Sequence, residues 1–186
     1  MVISIAVGDG GTIANSADGI TWNSQVVDAG GVTFKDVFSD SGLTVAVGEG
    51  GTTSDIYYSA DGLTWVAASM VGLSGSYEKV YKGGSLWIIG GQTEILTSLT
   101  GTSFGVSQAI TNQSTGIFYI DGIYFVFTEN GFVWTSLNSA VTWTRYRMGG
   151  RVPTDFIRSV VVSGNNISML GSFQTSRYLS KIVRGF

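Results

Sequence analysis

Four residues able to ligate a cation or hydrogen-bond a sugar stand at matched places in this chain: Asp9, Glu49, Gln92 and Glu129. Each lies at or just past the end of a short apolar run. Carboxylates and an amide gathered round one mouth would bind a cation or the hydroxyls of a sugar. Plain exposed hairpin residues would look the same, as Asp9-Gly10-Gly11 and Glu49-Gly50-Gly51 suggest. The rest of the composition narrows the chemistry. The chain has no Cys and no His, which removes thiolate chemistry, disulfides, the commonest general base and the commonest metal ligand. No catalytic residue, metal centre or cofactor is expected.

The elements that must position these residues recur. The apolar runs are Ile5–Gly8, Val45–Gly48, Trp87–Gly90, Phe125–Thr128 and Ser168–Gly171, spaced by 40, 42, 38 and 43 residues. Runs this short and this apolar suit strands buried on both faces, and such a period suits propeller blades. The second unit reads as strands Phe34–Ser39, Leu43–Gly48, Asp55–Ser59 and Leu63–Ala68. The third reads Tyr77–Lys82, Ser85–Gly90, Glu94–Ser98 and Thr102–Ser107. The fourth reads Thr115–Asp121, Ile123–Thr128, Phe132–Ser136 and Val141–Arg147. The chain opens on a second strand, Val2–Gly8, and ends in a fifth unit with strands Phe156–Val162, Asn166–Gly171 and Ser176–Val183. Polar or Gly-rich stretches at Gln25–Thr33, Ser69–Ser76, Gln108–Ser114 and Met148–Thr154 fit blade-to-blade crossings. The expected architecture is all-β: one domain over residues 1–186, a small five-bladed β-propeller with incomplete blades at both ends.

A seven-residue turn closes each unit. Ser16-Ala17-Asp18-Gly19-Ile20-Thr21-Trp22 returns as Ser59-Ala60-Asp61-Gly62-Leu63-Thr64-Trp65, and weaker copies run Ser98–Phe104 and Ser136–Trp143. An Asp-Gly pair between apolar runs signals a hairpin, with the carboxylate bonded to amides of its own turn and the Gly at positive φ. Thr100 and Asn138 replace the Asp in the weaker copies, a drift that a turn former tolerates and a catalytic residue would not. Ser180 and Phe186 echo the same spacing. Trp22, Trp65 and Trp143 are expected in blade cores, and Trp87 and Trp134 are expected buried inside strands. Tyr57, Tyr58, Tyr119, Tyr124, Tyr146 and Tyr178 are expected either to pack or to offer a stacking platform for sugars.

These turns resemble the Asp-box (BNR) repeat of sialidases and other β-propellers, of the kind found in bacteriophage structural proteins. The usual box has a residue between Asp and Gly, and here the two are adjacent. Sialidase chemistry, as the resemblance implies, needs three Arg, a Tyr–Glu nucleophile pair and an acidic catalyst, yet all six Arg lie from Arg145 onward. Two plain carboxylates across a ring would serve a glycosidase, and their spacing cannot be read from sequence.

Charge divides unevenly. Residues 1–78 hold nine acidic and one basic residue (−8) and residues 79–186 hold nine basic and four acidic (+5), which sum to the net −3. This is either drift on a solvated surface or a pair of complementary sides for docking in an assembly. Nucleic-acid binding is not expected at a pI near 4.7. Neither a signal peptide nor a membrane-inserted span is expected. The reading that follows is a non-enzymatic structural or adhesive module of a bacteriophage virion, made in the host cytosol. Its expected partners are other virion proteins or copies of itself, with glycans as a further contact. A small propeller lectin is the alternative, and a glycoside hydrolase the third.

Overall fold

The computed structural model describes residues 3–52, 54–70, 75–147, 156–163, 166–172 and 179–183. The described strands form five sheets in chain order, antiparallel but for one short pairing. The first holds β1 (Ser4–Val7), β2 (Thr12–Ser16) and β3 (Asn23–Val26). The second holds β4 (Thr33–Asp40), β5 (Leu43–Glu49), β6 (Ile56–Ser59) and β7 (Val66–Ala67). The two-residue β8 (Ser69–Met70) follows. The third sheet holds β9 (Tyr77–Gly83), β10 (Leu86–Gly91), β11 (Glu94–Ser98) and β12 (Ser103–Ala109). The fourth holds β13 (Ser114–Ile120), β14 (Ile123–Thr128), β15 (Phe132–Ser136) and β16 (Thr144–Arg147). The fifth holds β17 (Phe156–Ser163), β18 (Asn166–Ser172) and β19 (Leu179–Val183). No helix occurs among the described residues.

Each sheet is a meander, and neighbouring sheets pack through their first strands: β1 on β4, β4 on β9, β9 on β13, β13 on β17. This explains the apolar runs. Along β5, Val45 and Val47 join a cluster with Tyr77, Trp87, Ile89 and Leu96 of the third sheet, while Ala46 turns to Ile13 of the first. Along β10, Ile88 faces Ile117 and Val126 of the fourth sheet, opposite to Trp87 and Ile89. Period-two alternation thus feeds two cores, so every position must be apolar. Each fully buried Val, Ile or Leu there contributes about 1.5–3 kcal/mol.

Four inner strands carry a β-bulge at the same place. The register shifts between Phe34 and Asp36, between the partners of Gly90 and Gly91, between Ser114 and Gly116, and between Ile157 and Ser159. Lys35, Glu78, Thr115 and Arg158 are the extra residues. The bulge brings backbone close to the end of the neighbouring strand. A Cβ on Gly48 would lie 2.2 Å from the Thr33 carbonyl oxygen, which is why that run ends in Gly.

Two expectations are corrected. Ser69 and Met70, expected in a crossing, instead form β8, which pairs in parallel with β12 (Ser69 with Ser103, Met70 with Phe104) and gives the third sheet a fifth strand. The repeated turns are also longer than a two-residue hairpin. Outgoing strands begin at Asn23, Val66 and Thr144, beyond the aromatic of the turn. The expected crossing Met148–Thr154, the start of the last strand at Ser176, Tyr178 and Phe186 lie outside the described residues.

Candidate functional site

The repeated turns at one end of the sheets are built from their own side chains. The Ser16 Oγ accepts the Gly19 amide at 2.8 Å and donates to Asp18 Oδ1 at 3.0 Å, while Asp18 Oδ1 accepts the Ile20 and Thr21 amides at 2.8 Å each. The second turn repeats this with Ser59, Asp61, Gly62, Leu63 and Thr64. In the fourth, Asn138 Oδ1 accepts the Thr142 amide at 3.0 Å, and Ser136 accepts the Ala140 amide at 3.0 Å. The extra residue is absorbed by positive φ at Ser139 and Ala140. The amides that Asp18 and Asp61 capture are no longer free to extend a ladder, which delays the outgoing strand. The Thr21 amide, the Ile20 amide and the Ser16 hydroxyl hold the Asp18 carboxyl down to about 2, and Thr64, Leu63 and Ser59 do the same for Asp61.

Three of the turn aromatics pack on the preceding sheet, Phe104 buried and Trp65 and Trp143 half-buried rather than in the core as expected. Phe104 of the third sheet joins the cluster with Val45, Val47 and Ile56 of the second, Trp65 packs beside Ile13 of the first, and Trp143 beside Leu86 and Ile88 of the third. Trp22 belongs to the first sheet and no preceding sheet covers it among the described residues, so it is 43% exposed and not core as expected. Trp87 is buried as expected, whereas Trp134 is half-buried beneath Arg145. Of the tyrosines, Tyr57 and Tyr124 are buried, Tyr58 and Tyr119 are half-buried, and Tyr146 is exposed.

The four residues singled out from the sequence lie on the opposite end, where β1 leads to β2, β5 to β6, β10 to β11 and β14 to β15, together with the crossings. Backbone bonds tie the two sets together: Gly11 to Val32, Gln92 to Ser76, Glu129 to Gln113. Asp9 is exposed. Glu49 pairs with Lys35 at 2.8 Å, and Gln92 Nε2 donates to Glu78 Oε1 at 3.1 Å. Glu49, then Glu78 and Asp9, hold the Lys35 ammonium above its usual range. Asp9, Glu49 and Gln92 therefore share one neighbourhood through Lys35 and Glu78. No described contact joins Glu129 to them.

Residues that sequence reasoning passed over lie beside this group. Asp28 is buried, with Oδ1 accepting the Gly30 amide at 2.7 Å and no described partner for Oδ2. Asp55 is buried, accepts the Gly51 amide at 2.8 Å, and is pushed up by burial and by Asp28 and Glu49. The Tyr77 hydroxyl donates to Glu94 at 3.2 Å, and burial raises it. Asp55 immediately precedes β6 and Glu94 opens β11, a near-matched placement that the repeat could have flagged. No group of three metal-ligating side chains occurs among the described residues.

Two hollows of about 260 Å³ each are present. One lies against Ile3, Ile5, Asp40 and Asp61, but Asp40 is already bonded to Lys82 at 2.8 Å and Asp61 to its own turn. The other runs along the inner strands β4, β9 and β13 and is walled by Asp36, Phe38, Lys79, Tyr81, Thr115 and Phe118.

No family model and no curated protein matches this chain. Solved structures do. YCF48 bound to D1 peptide aligns at TM-score 0.65 and 17% identity over 90% of this chain and 58% of that one. YCF48 from Cyanidioschyzon merolae aligns at 0.62 and 14% over 89% and 59%. A GH74 enzyme from Niastella koreensis aligns at 0.52 and 17% over 96% and 28%. The chain thus spans under three-fifths of the YCF48 structures that it matches. Identities this low speak to architecture alone, and with the row of antiparallel sheets they give this chain a β-propeller fold.

Proposed function

We propose that this chain is a non-enzymatic structural or adhesive module that closes as a five-bladed disc and serves in a bacteriophage virion as a capsid decoration, head-fibre or tail-associated protein. The observation that carries the non-enzymatic part is how its carboxylates are used. Asp18 and Asp61 hold their own turns, Glu49 pairs with Lys35, and Asp40 with Lys82. Acid–base catalysis needs carboxylates facing a cleft with room for substrate, and these are engaged in holding the fold. The virion assignment is supported by composition: no Cys, no His, few charges, and the −8 and +5 halves suited to docking in an assembly. The five-bladed disc is supported by five consecutive sheets, each resting its first strand on its neighbour.

Three measurements test this. Mass spectrometry of particles purified from an induced culture of the host carrying the gene is expected to find the chain at structural copy number. Its absence from the particles overturns the virion role. Top views by electron microscopy are expected to show five lobes, and an open arc or another count overturns the disc. A chromogenic glycoside panel is expected to stay uncleaved, and turnover abolished by Asp9→Asn or Glu129→Gln would establish the hydrolase instead.

A lectin is the second reading, favoured by the aromatic groove along the inner strands. A glycan array separates it from an inert scaffold.

A further inference from the structure

The bulges place one pair of residues at the same register on each inner strand. Past the bulge, β4 presents Asp36 and Phe38, β9 Lys79 and Tyr81, and β13 Gly116 and Phe118. Residues two apart on a strand share a face, so each pair looks into the same space. The rings form a row, Phe38 to Tyr81 at 4.9 Å between centroids and Tyr81 to Phe118 at 6.4 Å. All three are half-buried, not sealed into a core. Beside them lies the hollow of about 260 Å³.

Its polar groups have capacity to spare. The Asp36 oxygens each accept one amide, from Val37 and from Val80, and each retains a second acceptor site. The Lys79 ammonium, near enough to act on Asp36 electrostatically, donates no hydrogen bond to a described residue, and neither does the Tyr81 hydroxyl. The hollow therefore combines aromatic side chains, one carboxylate acceptor and two donors that no described residue engages. The charges of Asp36 and Lys79 offset each other, so the site selects neither an anion nor a cation. A neutral molecule with one apolar face and a rim of hydroxyls fits this set. The C–H face of a pyranose meets the electron-rich face of a ring, and its hydroxyls meet charged partners in the stronger kind of hydrogen bond. The volume falls below the usual range of about 300–1,000 Å³ for drug-sized ligands, which limits the occupant to a single ring.

We propose that the groove between β4, β9 and β13 binds one neutral pyranose, the terminal residue of a surface glycan, stacked on Tyr81 with its hydroxyls on Asp36 and Lys79. This rests on the adhesive reading above and gives it a site distinct from the loops of Asp9, Glu49, Gln92 and Glu129.

The test is a backbone amide NMR titration with the methyl glycosides of glucose, galactose, mannose and N-acetylglucosamine at about 10 mM, where a millimolar site is mostly filled. At least one sugar is expected to shift amides of residues 36–38, 79–81 and 115–118. Tyr81→Ala is expected to weaken binding about tenfold, the loss of one stacking partner, and Tyr81→Phe to retain most of it. Lys79→Met, a change outside the apolar clusters, is expected to weaken binding with thermal unfolding unchanged, which separates loss of the site from loss of the fold. No shift with any of the four sugars overturns the proposal, as do shifts confined to the loops of Asp9, Glu49 and Glu129. In both cases an adhesive role through another surface survives. Turnover of chromogenic glycosides abolished by Asp9→Asn or Glu129→Gln would put the sugar at those loops and overturn both this site and the adhesive reading.

Discussion

The Asp36 carboxylate accepts the Val80 amide at 3.0 Å, across the boundary between the second and third sheets. Val80 lies on β9, whose other side pairs with β10, so this amide belongs to a free inner edge. A side chain from one sheet thus satisfies the exposed edge of the next, a contact that blunts edge pairing with foreign strands.

Removing that acceptor has a defined cost. Asp36→Ala is expected to lose about 1–3 kcal/mol, the usual penalty for a stranded donor, and to raise hydrogen exchange at Val80. Burial lifts the Asp36 carboxyl above its unfolded value of 3.8. A raised acid binds its proton more tightly in the folded state, so its contribution to stability falls as pH rises through the window above 3.8. Asp36→Asn keeps an acceptor without the charge, and is expected to flatten that dependence. Urea unfolding at pH 4 and pH 7 checks both, and a steeper profile in the Asn variant would contradict the account.

The turn serines are the next target. Ser59 and Ser136 are 1% exposed and accept the Gly62 and Ala140 amides. Ser59→Ala and Ser136→Ala are each expected to cost about 1–3 kcal/mol, adding nearly independently because they lie in different sheets. Exposed Ser24→Ala should stay within about 0.5 kcal/mol. Chemical denaturation of the three variants and the double variant decides the matter.

The turn aspartates set acid sensitivity. Asp18 and Asp61 are expected to titrate at about 2, against 3.8 when unfolded. A depressed acid stabilises the fold above its unfolded value, and this contribution is lost as pH falls from about 4 to about 2. Carboxyl-carbon NMR titration reads both groups directly. Midpoints near 3.8 would mean that the turn amides do not point at them in solution.

Gly19 and Gly101 separate turn strain from packing. Both have positive φ, +76° and +77°. An alanine Cβ at Gly19 meets nothing within 4 Å, whereas at Gly101 it would lie 2.5 Å from Leu43 Cδ2 and 2.8 Å from Trp87 Nε1. Gly19→Ala is expected to cost about 1–2 kcal/mol from the backbone alone. Gly101→Ala adds an overpacking term of about 1–3 kcal/mol. Equal shifts in melting temperature would show that the third turn is not seated against Leu43 of the second sheet.

What could be read from the residues was whatever local chemistry dictates. The strands Glu94–Ser98, Ile123–Thr128 and Phe132–Ser136 fall where the apolar runs and turn signals place them. Ser, Asp and Gly act on amides two or three positions away, so the repeated turns were visible in one dimension. Their full length was not, since it follows from which amides Asp18 and Asp61 capture.

By itself, the order of residues determined an all-β chain of repeated four-stranded units, because hydrophobic period and turn chemistry act over a few residues. The tertiary structure alone decided the rest: Trp22 open to solvent while Trp65 and Trp143 pack, the parallel addition of β8, the buried Asp28 oxygen with no partner among the described residues, and the row Phe38–Tyr81–Phe118. Each depends on which sheet lies against which. Burial and partner choice are set by neighbours some forty residues away in the chain, whose relative placement no local pattern encodes.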